Sequence, residues 1–210
     1  MQKPLQLPRL YAILDVTCFA PQLRTTNSIV EFARDLAEGG VTLLQYRNKD
    51  GNTRAMMSHA REIKRVLQGK VRLIMNDRAD ICVAMGFDGV HLGQDDLPAD
   101  GARLVVGERI VGISTHNPQQ VNEADAGPAD YIAIGPVFPT TGKKNPDALV
   151  GLEGVRVARA ATKKPLVAIG GITRHNAKAV IEAGADSVAV ISDLLSSPRR
   201  AAEEFLRLLV

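Results

Sequence analysis

Asp77 and Asp96 each stand just past a short apolar run, Val71 to Met75 for the first and Gly89 to Leu92 for the second. If those runs are neighbouring strands, one cation reaches both carboxylates. Hard oxygen ligands of this kind suit Mg²⁺, which takes one or two carboxylates, keeps several waters and completes its shell with substrate phosphate. The competing readings are local: Asp77 as a cap for the next helix, Asp96 as a solvated loop acid. Asp95 is the bystander beside Asp96, and Asp80 lies one turn into the next helix, facing away.

Cations and glycines stand at matching places. Gln45, Arg47 and Lys49 alternate at the end of the run Thr42 to Tyr46, so their side chains share one direction. Arginine grips a phosphate bidentately, and lysine adds a point charge. Asn76, Ser114 and His116 follow other runs, and Thr140, Thr141, Gly142, Lys143 and Lys144 lie in the long segment Pro136 to Gly151. Each of those two lysines also reads as an exposed loop residue. Gly170-Gly171 follow the run Leu166 to Ile169, where glycine lets backbone amides approach an anion at a helix start, and Ile191-Ser192 add further amides. Arg54, Arg61, Lys64 and Arg65 form a solvated helix face. His91 reads as a hydrogen-bonded core residue, His59 lies on the second helix, His175 in the first turn of the seventh, and His116 near the rim. No Ser–His–Asp set, zinc spacing or P-loop is present. Two anion-binding regions and one cation site suit a reaction that expels a diphosphate, whose developing charge metal and basic residues stabilise.

Positioning these residues takes eight elements of one type. The apolar runs are Leu10 to Leu14, Thr42 to Tyr46, Val71 to Met75, Gly89 to Leu92, Ile110 to Ile113, Tyr131 to Ile134, Leu166 to Ile169 and Val188 to Ile191. All lack polar alternation, as strands buried on both faces do. Helical periodicity fills the gaps: Ser28 to Glu38, Thr53 to Leu67 and Thr173 to Ala183 each gather apolar residues on one face, with Ser28, Thr53 and Thr173 as expected N-caps. Glycines 39, 86, 127 and 184 end helices shortly before a strand, where a left-handed residue is commonly required. This repeated βα unit predicts a (β/α)8 TIM barrel over residues 1–210 as one domain, with the open doubly wound sheet as the alternative. No Gly-x-Gly-x-x-Gly follows the first run, which counts against a dinucleotide site. In a barrel, residues just past each strand converge on one rim.

The 210 residues are 45% hydrophobic and 23% charged, with a net charge of +3, 4% aromatic residues and no Trp. That balance supports neither a nucleic-acid surface nor base stacking. Cys18 and Cys82 form no CxxC pair and read as unpaired thiols in a reducing compartment. The N-terminus lacks the apolar run of a signal peptide, and no stretch approaches the ~20 apolar residues that span a membrane. A cytoplasmic location is expected.

Four segments in this order, Gln45-Tyr46-Arg47-Asn48-Lys49, Asn76-Asp77-Arg78, His91-Leu92-Gly93-Gln94-Asp95-Asp96 and Gly170-Gly171-Ile172-Thr173, together with Gly135-Pro136-Val137-Phe138-Pro139-Thr140, resemble the thiamine phosphate synthase family. The resemblance runs from Tyr11 to Ser192. It implies a transferase of thiamine biosynthesis that joins hydroxymethylpyrimidine diphosphate to a thiazole phosphate with release of pyrophosphate. It implies Mg²⁺ on Asp77 and Asp96. It implies that Gln45, Tyr46, Arg47, Asn48, Lys49, Asn76, Ser114 and Lys143 meet the pyrimidine diphosphate, with Arg47, Lys49, Ser114 and Lys143 serving catalysis. Thr140, Thr141, Gly142, Gly171, Ile191 and Ser192 then meet the thiazole phosphate. The implied path is dissociative and needs no general base. Two positions depart from the family's pattern: Asn48 replaces a frequent aspartate, and Gly142 a frequent threonine for which Thr141 is the candidate substitute. Tautomerase relatives on the same fold lack the metal acids and carry His where Pro136 stands. A barrel that binds a phosphorylated ligand without turnover is the reading from another class. The fold's habits point to a homodimer; nucleic acid and membranes are not expected partners.

Overall fold

Val, Ile and Leu fill both faces of eight strands, and such strands require cover on each side. The computed structural model describes residues 5–140 and 148–210, and supplies that cover by closing the strands into a ring inside a ring of helices. The strands are β1 (Leu10–Asp15), β2 (Leu43–Arg47), β3 (Arg72–Asn76), β4 (Gly89–Leu92), β5 (Ile110–Thr115), β6 (Tyr131–Ile134), β7 (Leu166–Ile169) and β8 (Ser187–Val190). All pair in parallel in chain order, and β8 closes on β1 through Leu10 opposite Val188. The alternating helices are α1 (Thr26–Glu38), α2 (Thr53–Leu67), α3 (Ala79–Met85), α4 (Ala99–Val106), α5 (Pro118–Ala126), α6 (Gly151–Ala161), α7 (Ala177–Glu182) and α8 (Pro198–Leu208). The expected barrel is thus the observed one, and the open sheet is excluded.

The two-residue period of each strand splits the core in two. Inside the barrel lie Tyr11, Ile13, Leu43, Ile74, Tyr131, Ala133, Val167 and Ala189. Between strands and helices lie Leu14, Leu44, Tyr46, Val90, Ile132 and Val188, packed with helix residues such as Ile29, Leu36, Ile63 and Phe205. None of the helices is long and apolar enough to cross a membrane, among the described residues.

Some boundaries shift from expectation. The cap of α1 is Thr25, whose hydroxyl accepts from the Ser28 amide, and the cap of α2 is Asn52, whose Oδ1 accepts from the Ala55 amide at 2.9 Å. Ser28 and Thr53 therefore lie inside their helices. Helix α7 starts at Ala177 rather than Thr173, because Asn176 pulls the preceding residues into a turn. Its Oδ1 accepts from the Thr173 amide and its Nδ2 donates to the Gly171 carbonyl. His175 consequently sits in that turn and not in the helix. Gly86 ends α3 in the left-handed conformation as expected (φ 63), whereas Gly127 ends α5 with extended backbone (φ −87, ψ −177).

Candidate active site

The same period that divides the core selects the residues of the mouth. Along β2 and just past it, Gln45, Arg47 and Lys49 lie on the interior side, while Tyr46 and Asn48 lie on the side facing α2. Gln45 is 2% exposed, and its Nε2 donates to the Tyr11 hydroxyl at 2.9 Å. Arg47 Nη1 donates to Asp15 Oδ2 at the end of β1. Lys49 Nζ lies 2.8 Å from Asp77 Oδ2. Tyr46 instead is fully buried against α2, where its hydroxyl meets His59 Nδ1 at 2.9 Å and accepts from Asn48 Nδ2 at 3.2 Å. The strand's alternation turns the side chains of Tyr46 and Asn48 away from the mouth, where both have protein partners.

Asp77 and Asp96 come together as the spacing predicts. Strand β3 ends at Asn76, buried and in register with His91 of β4. Asp77 then takes a left-handed backbone conformation (φ 60), uncommon outside glycine, and its amide donates to the His91 carbonyl at 2.8 Å. Its carboxyl comes close enough to that of Asp96 for the two to shift each other's titration. Asp96 also accepts from the Gly93 amide at 2.8 Å. Burial, and then the interaction with Asp96, raise the Asp77 carboxyl above its ordinary range. Burial alone would raise Asp96 as well, but the interaction with Asp77 and the hydrogen bond from the Gly93 amide, aided by Lys49, hold it below. The pair is thus anionic and crowded, and among the described residues Lys49 is the cation in direct contact with it. Among the described residues no third His, Cys, Asp or Glu joins them as a metal ligand. Two paired carboxylates fit a hard cation whose other positions go to water and phosphate, and do not fit zinc. Asp80 is exposed and paired with Arg78, facing away as expected.

Ser114, on β5, is half-buried with its Oγ 2.9 Å from His91 Nε2, and its carbonyl accepts from Gln94 Nε2. His116 Nδ1 meets the Gly135 carbonyl at 2.6 Å. Across the mouth, Gly170 and Gly171 have φ of +100 and +62. A Cβ on Gly171 would lie 2.5 Å from the Pro139 carbonyl oxygen, so only glycine lets this turn pass beside the segment leading to Thr140. That segment runs along β7, with the Val137 amide donating to Ile169 and the Phe138 amide to Gly170. Ile191 packs against the interior cluster, and Ser192 is exposed at the start of a 3-10 turn. Arg174 ties these two rim loops together. Its amide and Nε donate to Asp193 Oδ2 at 2.8 and 3.1 Å, its Nη2 to Oδ1 at 2.9 Å, and its Nη1 to Glu204. Thr141, Gly142, Lys143 and Lys144 lie outside the described residues.

The structure therefore gathers Gln45, Arg47, Lys49, Asn76, Asp77, Asp96 and Ser114 at one end of the barrel, with Gly171, Ile191 and Ser192 on the facing rim. A cleft of about 510 Å³ opens at the other end, lined by Leu7, Thr42, Lys70, Arg72 and Asp88. It holds none of these residues. Reasoning from sequence passed over Asp15, Arg174 and the buried tyrosines Tyr11 and Tyr131. Asp15 had a signal: it follows the first apolar run as Asp77 follows the third.

Residues 11–194 match the family model described as thiamine monophosphate synthase. The thiamine-phosphate synthase of Koribacter versatilis is 59% identical over 210 residues, 100% of this chain and 99% of that protein. That of Chloroflexus aurantiacus is 40% identical over 190 residues, 90% and 86% of the two chains. The solved thiamine phosphate pyrophosphorylase of Pyrococcus furiosus superposes with a TM-score of 0.84 at 33% identity, covering 96% of this chain and 95% of its own. The chain belongs to the thiamine monophosphate synthase family, transferases of thiamine biosynthesis.

Proposed function

We propose that the chain joins hydroxymethylpyrimidine diphosphate to thiazole phosphate at the mouth of its barrel, with Asp77 and Asp96 holding Mg²⁺. The observation that carries this reading is the pairing of these two carboxylates at neighbouring strand ends with Lys49 on Asp77, while Arg47, held by Asp15, stands at the end of the adjoining strand. When bound there, Mg²⁺ neutralises charge on the leaving diphosphate. Arg47 and Lys49, with Lys143 from the loop, bind the diphosphate oxygens. Gln45, Asn76 and Ser114 orient the pyrimidine ring. Thr140, Gly171, Ile191 and Ser192 bind the thiazole phosphate, with Thr141 and Gly142 beside them.

The chemistry asks little else of the chain. The C–O bond to the diphosphate breaks and its electron pair leaves with pyrophosphate. The thiazole nitrogen then supplies the pair for the new C–N bond, so no proton needs removing. Stabilising the leaving group outweighs general-base catalysis here, which agrees with a mouth whose one buried histidine, His91, has hydroxyls rather than a substrate at both ring nitrogens.

The test is to supply both substrates with Mg²⁺ and follow thiamine phosphate by chromatography, with a chelator and Asp77→Ala alongside. Metal-dependent product that vanishes in the variant is expected. A folded wild-type protein that binds both substrates without turnover would favour a phosphate-binding barrel instead.

A further inference from the structure

Five side chains inside the barrel form one unbroken line from β2 to β5: Gln45, Tyr11, Tyr131, His91 and Ser114. Gln45 Nε2 donates to the Tyr11 hydroxyl at 2.9 Å, and the two tyrosine hydroxyls are 3.0 Å apart. Tyr131 meets His91 Nδ1 at 2.9 Å, and His91 Nε2 meets Ser114 Oγ at 2.9 Å. The first four are each less than a tenth exposed, with no carboxylate bonded to the imidazole. Every proton of those four hydroxyl, amide and ring groups that enters the line is therefore used within it.

The direction of the line follows by counting protons. Tyr11 oxygen accepts from Gln45, so the single Tyr11 proton goes to Tyr131. The single Tyr131 proton then goes to His91 Nδ1. A neutral imidazole that accepts at Nδ1 carries its hydrogen at Nε2, and His91 donates it to Ser114 Oγ. The Ser114 proton is left for the mouth. With Nε2 of Gln45 facing Tyr11, the reverse direction would give Tyr11 two donors and strand its own proton in a site 1% exposed, at the cost of a buried unsatisfied donor; it requires the Gln45 amide turned over, with Oε1 toward Tyr11.

We propose that His91 is a positioning residue: its tautomer, set through Tyr131 and Tyr11 by Gln45, holds the Ser114 hydroxyl as a hydrogen-bond donor toward the ligand. A hydroxyl fixed in that sense pairs with an unprotonated ring nitrogen, as in an aminopyrimidine, and turns away the oxo form whose ring nitrogen carries hydrogen. Gly112 completes the device. A Cβ there would lie 2.0 Å from Tyr131 Cζ, so glycine on β5 is what admits the Tyr131 ring to the line. This inference rests on the reading of Gln45 and Ser114 as pyrimidine contacts.

Two measurements decide it. In the ¹⁵N spectrum of the intact protein at neutral pH, His91 is expected as the Nε2–H tautomer; an Nδ1–H tautomer or an imidazolium would overturn the proposal. Second, Tyr131→Phe keeps the ring, which stacks on His91 (centroids 5.5 Å) and meets Tyr11 edge-on (6.0 Å), and removes one hydroxyl. We expect kcat/KM for the pyrimidine diphosphate to fall about tenfold in the wild-type background, and not at all in a Ser114→Ala background. Where turnover is too slow, affinity for the pyrimidine diphosphate is read instead. An equal fall in both backgrounds would show a merely structural role and sink the idea. If wild-type protein makes no product, the proposed function fails, and the nitrogen spectrum still decides the direction of the line.

Discussion

His91 should impose a pH dependence on stability whose size can be worked from its surroundings. Burial pushes its pKa from 6.5 down to about 4, opposed only in part by the charge of Asp96. A basic group with a lowered folded-state pKa is neutral in both states above the unfolded value, so it contributes no pH dependence there. Between pH 6.5 and about 4 the unfolded chain binds a proton that the folded chain refuses, and stability falls as pH falls; below about 4 the loss is complete. At ~1.4 kcal/mol for each pH unit of that window, the total is about 3 kcal/mol. His59 is also lowered by burial and adds a loss of the same sign, so the raw curve of the wild type exceeds the contribution of His91. The comparison that isolates it is urea unfolding of wild type and His91→Gln at pH 7.0, 6.0, 5.0 and 4.5. The substitution is destabilising at neutral pH, but the gap between the two proteins should narrow by about 2.5 kcal/mol from pH 7.0 to 4.5. Parallel curves across that window would refute the reasoning and show that His91 titrates as it does in the unfolded chain.

Other expectations follow from single contacts. Asp15→Asn leaves Arg47 without the buried carboxylate that holds it; we expect a stability loss of about 1–3 kcal/mol and a roughly tenfold rise in KM for the diphosphate substrate. An unchanged KM would mean that Arg47 does not depend on Asp15 for its position. Gly112→Ala drives a Cβ into the Tyr131 ring, and urea unfolding should show a loss of about 1–3 kcal/mol. The loss should shrink when Tyr131 is also replaced by Leu, and an undiminished loss would place the strain elsewhere.

The fold could be read from the sequence because its signal is repetitive. Eight two-sided apolar runs with helical pattern between them leave few architectures open, and neighbouring strand ends then had to bring Asp77 and Asp96 together. The strand period also placed Gln45, Arg47 and Lys49 on one side. It equally turned Tyr46 and Asn48 away, which a motif read as a continuous stretch conceals. What escaped was chemistry between distant positions. Nothing local to Tyr11 or Tyr131 indicates that two hydroxyls 120 residues apart meet inside the barrel. His91 is the hydrogen-bonded core residue its strand position implies, yet its second nitrogen reaches Ser114 at the mouth. Helix starts escaped for a different reason: Asn52 competes with Thr53 as a cap, and Asn176 folds the residues before α7 into a turn. Propensity alone does not weigh such rival side-chain hydrogen bonds.

The assignment of the mouth as a metal-assisted diphosphate site is tested most directly by anomalous diffraction from crystals of this protein grown with Mn²⁺ and pyrophosphate. We expect one manganese peak in contact with both Asp77 and Asp96, and pyrophosphate oxygens reaching that ion, Arg47 and Lys49. A peak that avoids both carboxylates, or pyrophosphate bound away from Arg47 and Lys49, would contradict it.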